Sequence, residues 1–543
     1  MTRRLPCPRR WWSRARAAAV VVALAATAGC PAGPRSVAAA PRATGACPDF
    51  TPPPRLGVLD ATVDAATTAR LQAWRRQTAE QRVHEEVDPA RVRATLALPQ
   101  ASVDRGCVDL DTVVDVGRGL FQRSFATADG LGPWRDDGDG LARVQVPARG
   151  GPDAVSCQSC HWKGGDAGAG DRVDNALVMG DGDDVTTAQA RNPPALWGAG
   201  WAERVAAEMT ATLQAQRDDA VARARRDGVA ATVALSAKGV AFGALRVDDD
   251  GVVDTRDVAG VDDDLVIKPF GWKGTHATLR SFVADSLHLH LGLQADELVA
   301  APPAHLALGD GDPDGDLDGD PDGDGVRGEI GEGQLTALVL YLATLEAPPF
   351  LALDDGPDRP EELYSNELSF VRSPELAMRW VDGFALFERL GCASCHVPFL
   401  PVFDPVYRTR AALSGSEAVV DLSTDAARPR APRSGDGAHW LVPAFSDFKR
   451  HDMGEALAAS ADSVAHEHGI HRRAFLTRRL WGVQTTSPYL HHGEAASFDE
   501  AIVLHGGEAA DASAAFVALD ENDRISLRLF LAALQRAPAL RIR

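Results

Sequence analysis

Apolar positions along this chain fall into separate blocks. Ala17 to Ala28 is an apolar run, too short to span a bilayer comfortably, and Arg3, Arg4, Arg9, Arg10, Arg14 and Arg16 precede it. That order predicts an export signal over residues 1–29. A proline-rich stretch (Pro41, Pro48, Pro52, Pro53, Pro54) follows, then apolar and charged positions alternate at helical spacing from Ala61 to Leu98. Residues 30–105 therefore read as a tether with an N-terminal extension of short surface helices. Val113 to Phe121 reads as the end of an apolar helix. Helical patterning with few β-rich runs predicts a mostly α protein.

Four landmarks recur in the same order. Gly117-Arg-Gly-Leu120-Phe121 precedes Cys157-Gln-Ser-Cys160-His161, and Leu196-Trp197-Gly198 follows it. Gly383-Phe-Ala-Leu386-Phe387 precedes Cys392-Ala-Ser-Cys395-His396, and Leu480-Trp481-Gly482 follows. Two related units are expected, over residues 106–305 and 371–543, joined by an acidic linker and helix over 306–370. In that linker Asp318, Asp320, Asp322, Gly323, Asp324 and Glu329 match positions 1, 3, 5, 6, 7 and 12 of a calcium loop. A solvated acidic linker is the plainer reading of the same run.

The two Cys-x-x-Cys-His motifs carry the chemistry. Two thiols one helical turn apart, with an imidazole next in line, suit covalent attachment of a haem and ligation of its iron. Structural zinc is the competitor, but both cysteine pairs are followed by His and lie far apart in the chain. The motifs predict two c-type haems with His161 and His396 as proximal ligands. The fold class expected is two cytochrome c-like haem domains in tandem, mostly α, with long loops and the acidic linker.

Composition adds little until charge and cysteines are sorted. The net charge of −20 makes nucleic acid an unlikely partner and leaves a positively charged protein partner open. Thr27-Ala-Gly-Cys30 resembles a lipoprotein cleavage box, which makes Cys30 a candidate lipid anchor; simple cleavage nearby, leaving a soluble protein, is the alternative. Either way the expected location is periplasmic or otherwise extracytoplasmic. With Cys7 in the signal and four cysteines in the motifs, Cys47 and Cys107 remain as a candidate disulfide.

The group opposite each proximal histidine separates an electron carrier from an enzyme. Met179, His276, His288 and His290 are candidates for the first haem, and His451, Met453, His491, His492 and His505 for the second. Trp197, Trp201, Trp272 and Trp481 are candidates for an electron path or simply core residues.

Several stretches resemble the di-haem oxidoreductase (thiol oxidoreductase-like) family, related to bacterial di-haem cytochrome c peroxidases. They include Phe270-Gly-Trp-Lys273, His451-Asp-Met-Gly454, and Leu480-Trp-Gly to Tyr489-Leu-His-His-Gly493 running on to His505-Gly-Gly-Glu508. The resemblance implies a peroxidase-like reaction that reduces peroxide or a similar small oxidant. Electrons would come from a small donor protein of cytochrome or cupredoxin type and be relayed between the haems. It implies that His505 is the distal ligand of the second haem, with Met453 the runner-up. It also implies an inter-domain calcium held by Asn192, Thr486 and Pro488. No His lies between His161 and Asn192, where the peroxidases carry one, so the first haem is the expected open, reactive site. Glu203 is the nearest match to the family's catalytic acid. A di-haem electron carrier and an oxidase acting on a protein side chain are the alternatives.

Overall fold

A computed structural model describes residues 47–51, 96–132, 144, 151–301, 324–346, 374–424, 431, 433–463 and 466–534. The export signal, Cys30 and most of the tether lie outside the described residues, as do Asp318, Asp320 and Asp322. The described helices used below are α1 (Leu110–Gln122), α2 (Ala199–Asp227), α3 (Leu279–Leu291), α4 (Glu332–Ala343), α5 (Pro374–Arg389), α6 (Phe498–Val503), α7 (Ala510–Val517) and α8 (Glu521–Ala532).

α1 begins where the Asp109 side chain accepts the Thr112 amide at 2.9 Å, so one orphan donor of the first turn is satisfied. Val113, Val116, Leu120 and Phe121 fall on one face at helical spacing and are buried against α4. Gly117 makes that crossing close: a Cβ there would lie 2.0 Å from the Ala337 carbonyl oxygen. The pair α5 and α8 repeats the arrangement, with a Cβ on Gly383 falling 2.0 Å from the Ser526 oxygen. Phe121 leans on His161 at 6.2 Å between ring centroids and on Tyr341 at 5.5 Å. Phe387 leans on His396 at 6.4 Å and on Phe530 at 5.2 Å. The landmarks repeated in the sequence thus occupy equivalent places in two helix pairs.

The expectation of a mostly α chain needs correcting: about 39% of it is helix and 15% strand. The strands are short antiparallel pairs. Ala231–Ala237 and Val240–Val247 join through Lys238-Gly239, both at positive φ (50° and 83°), the twist a two-residue hairpin turn requires. This sheet packs on α2. Val406–Arg410 pairs with Glu417–Asp421, and Arg450–Asp452 with Ala474–Leu476. Val240–Val247 does alternate buried and exposed positions, whereas three-residue runs such as Arg450–Asp452 leave no period-two signal. Cys47 and Cys107 are joined as a disulfide.

The tryptophans of the two Leu-Trp-Gly landmarks cross over. Gly198 and Gly482 both sit at left-handed φ, 66° and 72°. A Cβ on Gly198 would lie 2.1 Å from Trp481 Cζ3, and one on Gly482 would lie 2.0 Å from Trp197 Cζ3. Each indole therefore fills the space left by the other repeat's glycine. Neither ring has room to move: Trp197 Nε1 donates to Asp166 O at 2.9 Å and Trp481 Nε1 donates to Pro443 O. Alanine at either glycine adds overpacking of about 1–3 kcal/mol to a left-handed backbone cost of about 1–2 kcal/mol. Thermal unfolding of Gly198→Ala and Gly482→Ala is expected to shift down by that sum. Unfolding midpoints equal to wild type would show that the crossing does not matter.

Candidate haem sites

Each motif opens onto its own cavity. The first is lined by Cys157, Cys160 and His161, and the second by Cys392, Cys395 and His396. The two cysteine pairs face separate cavities, so they do not combine into one four-thiolate zinc site. Burial, with the neighbouring Cys160, pushes the Cys157 thiol up to about 12, and burial pushes Cys392 up to about 11.

Both motif histidines are held alike. His161 Nδ1 donates to Gly168 O at 3.0 Å, and His396 Nδ1 donates to Phe445 O at 3.0 Å. A carbonyl on Nδ1 fixes the tautomer and leaves Nε2 with its lone pair for a metal. Burial lowers both imidazoles to about 4, which keeps them neutral.

Opposite His396 in the second cavity stands His505. It follows α6, and its Nδ1 donates to Ala501 O at 2.7 Å, again freeing Nε2. The two ring centroids are 6.4 Å apart. A metal–imidazole bond is about 2.0 Å and the centroid lies about 1.1 Å beyond Nε2, so two rings on one ion sit roughly 6 Å apart. The residues fit a haem iron with two imidazoles. Met453 also lines this cavity.

His451 is differently employed. Its Nε2 donates to Asp447 at 2.8 Å and its Nδ1 to Glu508 at 2.8 Å. Burial opposes the charge, but Asp447, Cys395 and Glu508 outweigh it and lift the imidazole to about 11. An imidazolium has no lone pair to give a metal. His491 is stacked on Phe475 at 4.2 Å and lies edge-on to Trp272 at 6.3 Å.

The first cavity is furnished with acid–base groups instead. His276 Nε2 lies 3.1 Å from Asp285, and its Nδ1 lies 2.8 Å from Thr275 Oγ1. His290 Nδ1 lies 3.2 Å from Asp153. Met179 lines the cavity with its backbone at φ 62°, whereas His288 is buried and lines neither cavity. Glu467 and His468 reach this cavity from the other repeat. Glu467 is fixed by Arg191 at 2.8 Å, and the His468 ring lies 5.6 Å from His276, edge-on. His468, Asp285 and Asp153 escaped the sequence reading: nothing in a run such as His466-Glu-His-Gly-Ile-His471 says which distant motif it will face.

Glu203 stands elsewhere. It lines neither cavity; its carboxylate accepts the Leu279 amide at 2.7 Å and the Tyr407 hydroxyl at 3.2 Å, securing the start of α3. Burial raises it to about 7. A carboxylate tied to a helix terminus away from both cavities serves that helix.

Asn192, Thr486 and Pro488 all line the second cavity. Asn192 Nδ2 donates to Asp171 O at 3.0 Å and to Asn175 Oδ1 at 2.9 Å, and Thr486 Oγ1 donates to Gly482 O at 3.0 Å. Of the acidic loop, Asp324 accepts the Val326 amide at 2.7 Å and Glu329 accepts the Gln294 amide at 2.5 Å.

The cavities share a wall. Pro193, Pro194 and Trp272 line both, and Trp272 Nε1 donates to Asn192 O at 2.7 Å. Trp481 lines the second cavity, while Trp197 and Trp201 are wholly buried and line neither. The neighbouring Lys273 is buried, donates to the carbonyls of His471, Arg472 and Ala474 at 3.0, 2.9 and 2.8 Å, and lies over the Phe475 ring. It ties the shared wall to the chain that delivers His468.

The two motif-lined cavities are thus neighbours across one wall that contains Trp272. Residues 372–534 match the family model described as di-haem oxidoreductase, putative peroxidase. No curated protein matches the chain.

Proposed function

We propose that the protein is an exported di-haem enzyme of peroxidase type, with chemistry at the first cavity and electron entry through the second. The observation that carries this is the difference between the cavities. The second offers His505 at axial spacing to His396, whereas the first offers the buried pair His276–Asp285. Reducing peroxide consumes two electrons and two protons and releases two waters. A haem in the first cavity supplies the redox centre. This chain's part is to hold His276 by Asp285 and Thr275 so that it delivers a proton to the leaving oxygen. Trp272, shared by both cavities, is the natural electron path. The equivalent helix pairs support a reading as tandem haem domains. Export and a periplasmic setting are supported by the basic–apolar N-terminus, and a basic donor protein by the net charge of −20.

EPR of the oxidised protein, with peroxide turnover using a reduced cytochrome or cupredoxin, tests this. One high-spin and one low-spin ferric signal with turnover are expected. Two low-spin signals without turnover would defeat it. His290, held by Asp153 and lining the first cavity, supports a second reading: an electron carrier with both irons six-coordinate.

A further inference from the structure

Arg478 and Arg479 are adjacent cations in the wall of the second cavity, and among the described residues neither has a carboxylate within ion-pair distance. Other buried or half-buried arginines here are paired: Arg191 with Glu467, Arg280 with Glu297, Arg528 with Asp499. What Arg478 has is one long hydrogen bond, Nη1 to Gly271 O at 3.3 Å, and its guanidinium over Trp272 at 5.0 Å. Arg479 repeats the pattern, Nη1 to Pro269 O at 3.4 Å and the group over Trp481 at 5.2 Å, with its buried Nε lacking any partner. Burial lowers Arg478 to about 10 and Arg479, which also feels Arg478, to about 9. Two neighbouring, partly buried guanidiniums without a carboxylate partner are disposed to take up anions.

Taking the second cavity as a haem pocket, as proposed above, we infer that Arg478 and Arg479 bind the two propionate carboxylates of the haem attached at Cys392 and Cys395. A planar guanidinium offers parallel N–H donors that match a carboxylate, and a haem presents two carboxylates along one edge. The site has the chemistry of a dianionic edge: two cations side by side, each backed by an indole, in an otherwise apolar wall. It also sets orientation. The thioether edge lies at Cys392 and Cys395, and the carboxylate edge lies against Trp272 and Trp481. The propionates therefore face the wall shared with the first cavity. Arg478 and Arg479 are positioning residues that also hold the second haem's potential up, because a nearby cation disfavours the more positive ferric state.

The test is a spectroelectrochemical titration of the full haem-loaded chain, following the low-spin haem. Arg478→Gln and Arg479→Gln are each expected to lower the ferrous-to-ferric ratio at a fixed potential about tenfold, which is about 59 mV for a one-electron couple. Arg478→Lys and Arg479→Lys keep the charge and are expected to restore most of it. Gln variants with a full haem complement and the wild-type midpoint would overturn the inference, and so would Lys variants that fall as far as Gln. If a Gln variant loses its haem, the Lys variant at that position decides, a wild-type midpoint supporting the assignment and a lowered one refuting it. A haemochrome assay of the wild type giving one haem per chain would instead remove the reading of the second cavity itself.

Discussion

Replacing His505 by Ala is expected to turn the low-spin ferric signal of the second haem into a high-spin one, leaving the first unchanged. The expectation rests on the 6.4 Å between the His396 and His505 rings and on the Ala501 carbonyl that leaves His505 Nε2 free. With one imidazole gone, the iron keeps only His396, and the potential is expected to rise. EPR and absorption of the oxidised variant read both changes. A low-spin signal identical to wild type would remove His505 as a ligand. A low-spin signal with altered g-values would pass the role to Met453, which lines the same cavity.

The second large effect is expected at His276. On the proposed function His276→Ala removes the proton donor of the first cavity, and peroxide turnover is expected to fall about 10²–10⁴-fold in kcat/KM. Asp285→Asn keeps the imidazole but replaces the carboxylate 3.1 Å from Nε2, and a smaller loss is expected. In both variants the two ferric signals should stay as in wild type, which separates lost proton delivery from a collapsed pocket. Turnover within about threefold of wild type in His276→Ala would assign the proton to another group, His468 being nearest by ring contact.

The sequence was most informative where chemistry depends on short spacing. The two Cys-x-x-Cys-His motifs, the repeated Gly-x-x-Leu-Phe and Leu-Trp-Gly landmarks, and the resemblance that singles out His505 each point to residues that the structure brings together. Periodicity failed on the strands, since three-residue pieces such as Arg450–Asp452 carry no readable alternation. Motif matching also failed at Glu203, where only the fold reveals that the carboxylate is spent on the Leu279 amide. His468 was illegible for a different reason: it serves a motif some three hundred residues upstream, and only tertiary packing makes that pairing.

That pairing across the chain runs both ways. Asn192, Pro193, Pro194, Ala195 and Trp272 complete the second cavity, while Glu467 and His468 complete the first. The segment matched by the family model is therefore not a self-sufficient module. Cut free, it would lack part of its own haem wall, and Trp481 would face water where Gly198 now covers it. The two repeats have lost their independence as units of inheritance. A bulkier residue at Gly198 or a reshaped ring at Trp197 must be answered in the other repeat, so an exchange of halves between relatives is expected to succeed only when both sides of the crossing travel together.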